Sequence, residues 1–497
     1  MDRQKEMPKA RTGVPGLDDI LLGGLAAGRV FLLEGSPGTG KTTMAMRFLV
    51  EGAQKGERGL YVTLSETEQE LHSAALSHGW ELGDNIDIFE VVPPESLLDA
   101  DQQQSLLYSS DLELGETTKL IFQAVEKSNA QRIVLDSLSE IRLLAQSSLR
   151  YRRQILALKH YFARHGATVL MLDDLTTDTL DKTVHSVAHG VIRLEELTPD
   201  YGAERRRMRV VKYRAQPFRG GYHDFVIRTG GAQVFPRLVA SEHRLDFKRG
   251  RVTSGIAAFD RLLGGGIEQG SSTLVLGPSG SGKTTLAWQF VAEAVRKGDK
   301  AAMFVFDEEL GLLFDRAKPL GFDFEAMRAS GKLRITQLDA AELSPGEFAH
   351  AVRSAAADPG VKTVVIDSLN GYQTSMPQEN SLILHMHELI QYLNRTGVST
   401  FLTVAQHGLV GEMKSPVDIT YLADAVILLR YFEAEGSVRR ALSVIKKRGG
   451  KHEDTIREFW IDGGLHIGEP LTQFHGVLRG TPVLPNNASP QRPEKDE

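Results

Sequence analysis

A glycine-rich pattern occurs twice in this chain, and it narrows the fold more than any other feature. Residues 35–43 read GSPGTGKTT and residues 277–285 read GPSGSGKTT. Both fit G-x-x-x-x-G-K-[ST], the loop that wraps nucleotide phosphates. In the first copy the wrapping residues are Gly35, Ser36, Pro37, Gly38, Thr39, Gly40, Lys41, Thr42 and Thr43. In the second they are Gly277, Pro278, Ser279, Gly280, Ser281, Gly282, Lys283, Thr284 and Thr285. Glycines let successive backbone N–H groups turn inward into an anion-binding nest. Lys41 and Lys283 then reach the β- and γ-phosphates, and the Thr42 and Thr284 hydroxyls face Mg²⁺. The residues before each loop, VFLLE and STLVL, read as short buried strands, and those after it read as helices. Strand, glycine loop and helix N-terminus form the context this motif requires.

The duplication runs well beyond the loops. Lys41 and Lys283 are 242 residues apart. At that offset TGVPGLDDILLGGLAAG (12–28) falls on SGIAAFDRLLGGGIEQG (254–270), and GLYVTLSET (59–67) falls on AAMFVFDEE (301–309). Each half then carries an apolar strand ending in Asp-Ser, RIVLDS (132–137) or TVVIDS (363–368). A long helix and another apolar strand follow, ATVLML or STFLTV. Strands alternating with helices at this spacing predict a parallel sheet with helices on both faces. Each half closes in β-like segments: VIRLEE, RMRVVKYR and HDFVIR in the first, AVILLRYFE, RALSVIKKR and REFWID in the second. The reading is an α/β chain of two tandem P-loop NTPase domains, residues 1–245 and 246–482. A polar tail, expected to be disordered, follows at 483–497.

The totals agree with this and exclude other classes. A length of 497 residues suits about two to three domains, and 41% hydrophobic residues suffice for full cores. The formal net charge of −6 gives no global attraction to DNA or an anionic membrane. The absence of cysteine excludes disulfides, thiol nucleophiles and cysteine-based metal sites, and suits a reducing cytoplasm. The N-terminus has no signal-peptide core, and no uncharged apolar run is long enough to cross a bilayer.

Several residues have the type and place for chemistry. Asp136 and Asp367 end hydrophobic strands after a P-loop, the Walker B position that holds Mg²⁺. Hydrolysis also needs a group that orients or deprotonates water. Glu66 and Glu308 are equivalent at the repeat offset and end the next strand, preceded by Ser65 and Asp307. A pair of acids favouring a helix dipole is the alternative for them. Lys212-Tyr213-Arg214 and Lys446-Lys447-Arg448 recur at matching points. They read either as a solvated basic face or as groups that meet the γ-phosphate held by a neighbouring subunit. Gln406 reads equally as a phosphate sensor or a polar loop residue. His385 and His387 are two apart on a helix and cannot share a face, which argues against a metal site. Arg205-Arg206-Arg207 reads as a solvated loop.

Together these motifs resemble the KaiC family of double-domain RecA-type ATPases. TGVPGLDDILLGG, both P-loops, LDS and IDS, the two Lys-x-Arg elements, KKRGGKHEDTIREFWI and FHGVLRGTP carry the resemblance, which spans about residues 8–482. It implies two RecA-like domains per chain, assembly into a homohexamer, and ATP bound with Mg²⁺ between subunits. Lys212, Tyr213, Arg214, Lys446, Lys447, Arg448 and His452 would then act in trans. It implies a chiefly hydrolytic first domain and a second domain that also phosphorylates a Ser-Thr pair. That pair falls here on Thr420-Tyr421, of which Thr420 keeps a suitable hydroxyl; two turn residues are the alternative. The family's paired glutamates fall on Ser65-Glu66 and Asp307-Glu308, so Glu66, Asp307 and Glu308 remain as catalytic candidates. A KaiB-like protein or a signalling kinase is the kind of partner the resemblance implies, though no residue in the chain argues for one. A RecA-type DNA motor and a slow-turnover nucleotide-bound scaffold are the competing functional readings.

Overall fold

Strands without an exposed face set the architecture. The computed structural model has one nine-stranded sheet in each half. It describes residues 8–91, 106–175, 183–198, 202–306, 308–374, 376, 379–406, 408, 420–479 and 483. By contacts the chain divides into a unit ending at Arg237 and a unit starting at Leu238. Residues 238–245 pack on the second unit: Leu238 and Ala240 join its core, and the Leu245 N–H donates to the Arg395 carbonyl at 3.1 Å.

In the first unit's nine-stranded sheet the strands are β1 (Val30–Gly35), β2 (Gly59–Thr63), β3 (Ile86–Glu90), β4 (Arg132–Asp136), β5 (Thr168–Asp174), β6 (Gly190–Leu197), β7 (Arg205–Tyr213), β8 (His223–Arg228) and β9 (Gly231–Phe235). In the second they are β10 (Ser272–Gly277), β11 (Lys300–Val305), β12 (Leu333–Gln337), β13 (Val361–Asp367), β14 (Ser399–Ala405), β15 (Ala425–Ala434), β16 (Ser437–Lys447), β17 (Arg457–Ile461) and β18 (Leu465–Pro470). The spatial order is β3-β2-β4-β5-β1-β6-β7-β8-β9 in one sheet and β12-β11-β13-β14-β10-β15-β16-β17-β18 in the other. The two orders are the same once strand numbers are shifted by the repeat. Neighbours from β3 to β6 pair in parallel, and β6 to β9 continue antiparallel. The second sheet repeats this pattern.

The central strands are buried on both faces because their side chains alternate between two cores. Phe31, Leu33, Val134, Leu170 and Leu172 face the core that holds Met44 and Phe48 of the helix Lys41–Ala53. Val30, Leu32, Ile133, Leu135, Val169 and Met171 face Tyr151, Ile155, Leu158 and Phe162 of the helix Ser148–His165. That second helix starts at the Ser147 cap and stops at Gly166, which takes the left-handed conformation. In the second unit, Leu274 and Leu276 face one core and Val275 the other.

The edge strands β3, β12, β9 and β18 were not expected from the sequence. IDIFE and LRITQ are short, and their alternation is weak beside the fully apolar central runs. The expected tail lies outside the described residues, apart from Val483, which pairs with His475 through two backbone hydrogen bonds.

Phe290 is fully buried, stacked on Phe401 at 4.2 Å and edge-on to Phe259. Phe290→Ala is expected to cost about 3–5 kcal/mol of stability in a urea titration, by lost transfer energy plus a cavity.

Candidate nucleotide sites

Each glycine loop closes the C-terminal end of a central strand and opens a helix. The turn needs positive φ at its last glycine: Gly40 has φ 95° and Gly282 has φ 101°. A Cβ at Gly40 would meet Ile227 at 2.4 Å, and one at Gly282 would meet Ile461 at 2.9 Å, so both loops are cradled tightly by the antiparallel end of their own sheet. The helices Lys41–Ala53 and Lys283–Arg296 start directly after those glycines and aim their free N–H groups at the loop.

In the first site Lys41 is buried. Its Nζ donates to the Gly35 and Ser36 carbonyls at 3.0 Å and pairs with Asp174 at 2.6 Å. Asp136 accepts a 2.6 Å hydrogen bond from the Tyr61 hydroxyl. Burial raises the Asp136 pKa, with Tyr61, Lys41 and Thr42 opposing the rise and Asp174 adding to it. Burial and the adjacent Asp136 likewise push the Tyr61 phenol well above its ordinary value. The β2 end is shaped by Thr63, whose hydroxyl accepts from the Glu66 N–H at 2.9 Å and donates to the Glu66 carbonyl at 2.8 Å. That turn leaves Glu66 half-buried near Asp136, while the neighbouring Ser65 is exposed. The Glu66 pKa is raised, first by burial and then by the charges of Asp136, Glu70 and Asp174, with Lys41 opposing.

The second site has the same frame with different fittings. Lys283 donates to the Pro278 carbonyl at 2.8 Å; burial lowers its pKa and Asp367 opposes that. Asp367 accepts from the Thr403 hydroxyl at 2.5 Å, and its pKa is raised by burial, with Thr403, Thr284, Lys283 and Arg316 opposing. Glu308 is held by Arg316 through two hydrogen bonds, Nε to Oε1 at 2.9 Å and a guanidinium NH₂ to Oε2 at 2.5 Å. Asp307 lies outside the described residues. A cavity of about 330 Å³ opens over this loop, lined by Gly280, Gly282, Lys283, Thr284, Thr285, Arg316, Leu320, Arg440 and Ile461. In both sites the peptide bond after the strand-end aspartate, Asp136–Ser137 or Asp367–Ser368, is cis.

The two Lys-x-Arg elements lie at the opposite end of the strands from the P-loops, beside the starts of β6 and β15. Lys212 donates to the His185 and Ala188 carbonyls, and Lys446 to those of Thr420 and Ala423 at 2.9 and 2.8 Å. Arg214 donates to the Ser186 carbonyl at 2.5 Å and Arg448 to that of Tyr421 at 3.0 Å. The buried Tyr213 hydroxyl bonds the backbone at Gly24 and Ala26, while Lys447 pairs with Glu268 at 3.0 Å. His452 contacts Glu453 and Asp454. The Arg448 N–H donates to Asp424, whose own N–H donates to Ser272 at the start of β10. The P-loop begins at the far end of that strand, about 17 Å away. Neither element therefore borders the P-loop of its own domain.

Gln406 follows β14, with its N–H on the Gly277 carbonyl at 3.1 Å, which places it beside the second loop. His385 Nδ1 lies 2.8 Å from the Tyr372 hydroxyl, a core contact, and burial lowers its pKa to about 4. Arg206 pairs with Glu196 and Arg207 with Glu195 across the β6–β7 ribbon, so they belong to a strand where the sequence suggested a loop.

Tyr61, Asp174, Thr403 and Arg316 were not singled out in the sequence. Asp173-Asp174 ends the strand after ATVLML, so an acid at a strand's C-terminal end was the available signal. Only the strand order reveals that β5 lies beside β1, pairing Gly35 with Asp174. The same register in the second sheet pairs Gly277 with Ala405.

The geometry is that of a duplicated phosphate-binding ATPase, and comparison with known proteins names the branch. A family model described as the KaiC ATPase matches residues 10–239 and again 252–471. The chain belongs to the KaiC family. Its two units are tandem RecA-like domains, and each matched span is a KaiC-type ATPase domain. It is 30% identical over 494 residues to the circadian clock protein KaiC3 of a Synechocystis strain, covering 97% of this chain and 96% of that one. It is also 30% identical to the circadian clock oscillator protein KaiC of Thermostichus vulcanus, covering 96% and 92%, and 29% identical to that of Synechococcus elongatus, covering 96% and 92%. No described helix of this KaiC-family chain is long and apolar enough to cross a membrane.

The charges around Glu66 give a pH prediction for the first site. A raised carboxyl pKa means the ionised form is lost as pH falls through a value above the ordinary 4.5. In a Lys283→Ala chain, ATP turnover should therefore show an acid limb above that value. Glu70→Gln keeps the helix-capping geometry at Thr67 but removes one of the negative charges that raise the Glu66 pKa. The limb should move to lower pH in a pH–rate profile.

Proposed function

We propose that this chain hydrolyses ATP at both P-loops as a cytoplasmic ring of six copies, each pocket completed by a neighbouring subunit. The observation that carries this reading is the distance between the Lys-x-Arg elements and the P-loop of their own domain. Two basic elements at matching points, aimed away from their own site, are placed to serve another subunit's site. Their anchoring on equivalent segments, 185–188 and 420–423, supports a shared role rather than two incidental basic turns.

Within one pocket the roles divide by chemistry. Loop N–H groups and the helix N-terminus bind the phosphates. Lys41 leaves Asp174 for the β- and γ-phosphates, whose negative charge competes for the ammonium. Asp136 with Thr42, and Asp367 with Thr284, have the donor set for Mg²⁺, a buried carboxylate beside a hydroxyl. When bound, Mg²⁺ neutralises charge on the phosphate oxygens. Glu66 and, in the second domain, Asp307 and Glu308 orient the attacking water. Arg214 and Arg448, with Lys212 and Lys446, approach the neighbour's γ-phosphate, where charge builds in the transition state.

Subunit mixing tests the shared pocket. Chains carrying Lys41→Ala and Lys283→Ala should be inactive alone, as should chains carrying Arg214→Ala and Arg448→Ala. An equal mixture should recover roughly a quarter of normal turnover, because random neighbours pair an intact loop with an intact arginine at that frequency. Recovery of nothing by two folded, ring-forming variants would sink the reading.

Autophosphorylation at Thr420 is the second activity we propose. The Thr420 carbonyl is fixed by Lys446 at the end of the strands opposite its own P-loop, so a phosphoryl group would come from the neighbour's ATP. Incubation with ATP should add one phosphate per chain by intact mass, and Thr420→Val should abolish it. An unchanged mass in the parent chain would exclude the activity.

A further inference from the structure

The two domains treat their water-orienting glutamate differently. Glu308 has both carboxylate oxygens engaged by the Arg316 guanidinium in a fork. Arg316 is itself steadied from its other side, with its guanidinium carbon 4.5 Å from the Trp288 ring centroid. Arg316 also lines the cavity over the second P-loop. At the repeat offset the first domain has Ala74 in place of Arg316 and Met46 in place of Trp288. A methyl group has nothing with which to hold Glu66. The difference is thus a matched pair of changes, an arginine and the aromatic ring it rests on, both present only in the second domain.

A carboxylate that orients water must accept a hydrogen bond from it and then a proton. A bidentate guanidinium takes one accepting direction on each oxygen and fixes the way the carboxylate faces, so Glu308 cannot turn freely toward a water over the P-loop. We propose that Arg316 is a positioning residue that restrains Glu308, so that the second domain turns over ATP more slowly than its Glu308 alone would allow. This rests on hydrolysis at the second P-loop, as proposed above. The restraint belongs to the second domain alone, which gives one chain two ATP sites with unequal rates from one duplicated frame.

The test uses the full chain with Lys41→Ala, so that the second site supplies the turnover. Adding Arg316→Gln should raise kcat about 3–10-fold, while KM for ATP changes by less than about twofold. Arg316→Lys keeps the stem over Trp288 and a single point charge, and should give a smaller rise. Loss of packing alone lowers activity, so a rise at constant KM separates restraint from a structural role. If kcat is unchanged or lower in both variants while they bind ATP like their parent, the restraint is overturned and the site reading survives. If the parent with Lys283 intact binds no ATP, both are overturned.

Discussion

The structure depends on one local constraint: a strand buried on both faces must end in a turn whose backbone N–H groups point at an anion. β1 and β10 lie in the middle of their sheets, with apolar side chains on both sides and parallel neighbours on both edges. Their direction is thereby fixed, and so is the position where each chain leaves the sheet. Gly40 and Gly282 supply the left-handed backbone that no branched side chain tolerates cheaply. The following helix then presents its unsatisfied N–H groups to the same point.

Everything chemical is arranged at that edge or deliberately away from it. The strand-end carboxylates Asp136 and Asp367 reach it because β4 and β13 run parallel to the P-loop strand. The antiparallel extension does a second job. It packs Ile227 and Ile461 under the loops, and it carries the Lys-x-Arg elements back to the opposite end of the strands. A domain built this way has a phosphate cradle on one side and a basic rim on the other. The proposed ring would bring the two together by placing copies head to tail, a heterologous arrangement.

Duplication preserved the frame and let the fittings diverge. The first site is rich in acids: Glu34 is buried between His185 and Arg193, Asp173 pairs with Arg142, and Asp174 holds Lys41. The corresponding strand positions in the second domain are Leu276, Val404 and Ala405. The second site instead brings in a cation, Arg316, at a place where the first has alanine. Strand order and register are set by the apolar cores on both sheet faces together and are hard to change singly. The polar residues at the strand ends are each held by one or two partners and can be exchanged without disturbing the sheet.

The sequence by itself determined the duplicated α/β frame, the glycine loops, the strand-end aspartates and the family, because each is written in contiguous residues with a fixed local geometry. It also located Glu66, Glu308 and the two basic elements, through the 242-residue offset. Only the tertiary structure decided which groups face each other. That Asp174 meets Lys41 follows from β5 lying beside β1, although 132 residues separate the two and nothing local links them. That Arg316 grips Glu308 follows from the length and pitch of the intervening turn and helix. That Lys446 and Arg448 stand away from their own P-loop follows from the antiparallel return of β16. Pairings across a sheet depend on the order of its strands, and that order is settled by packing rather than by any single segment.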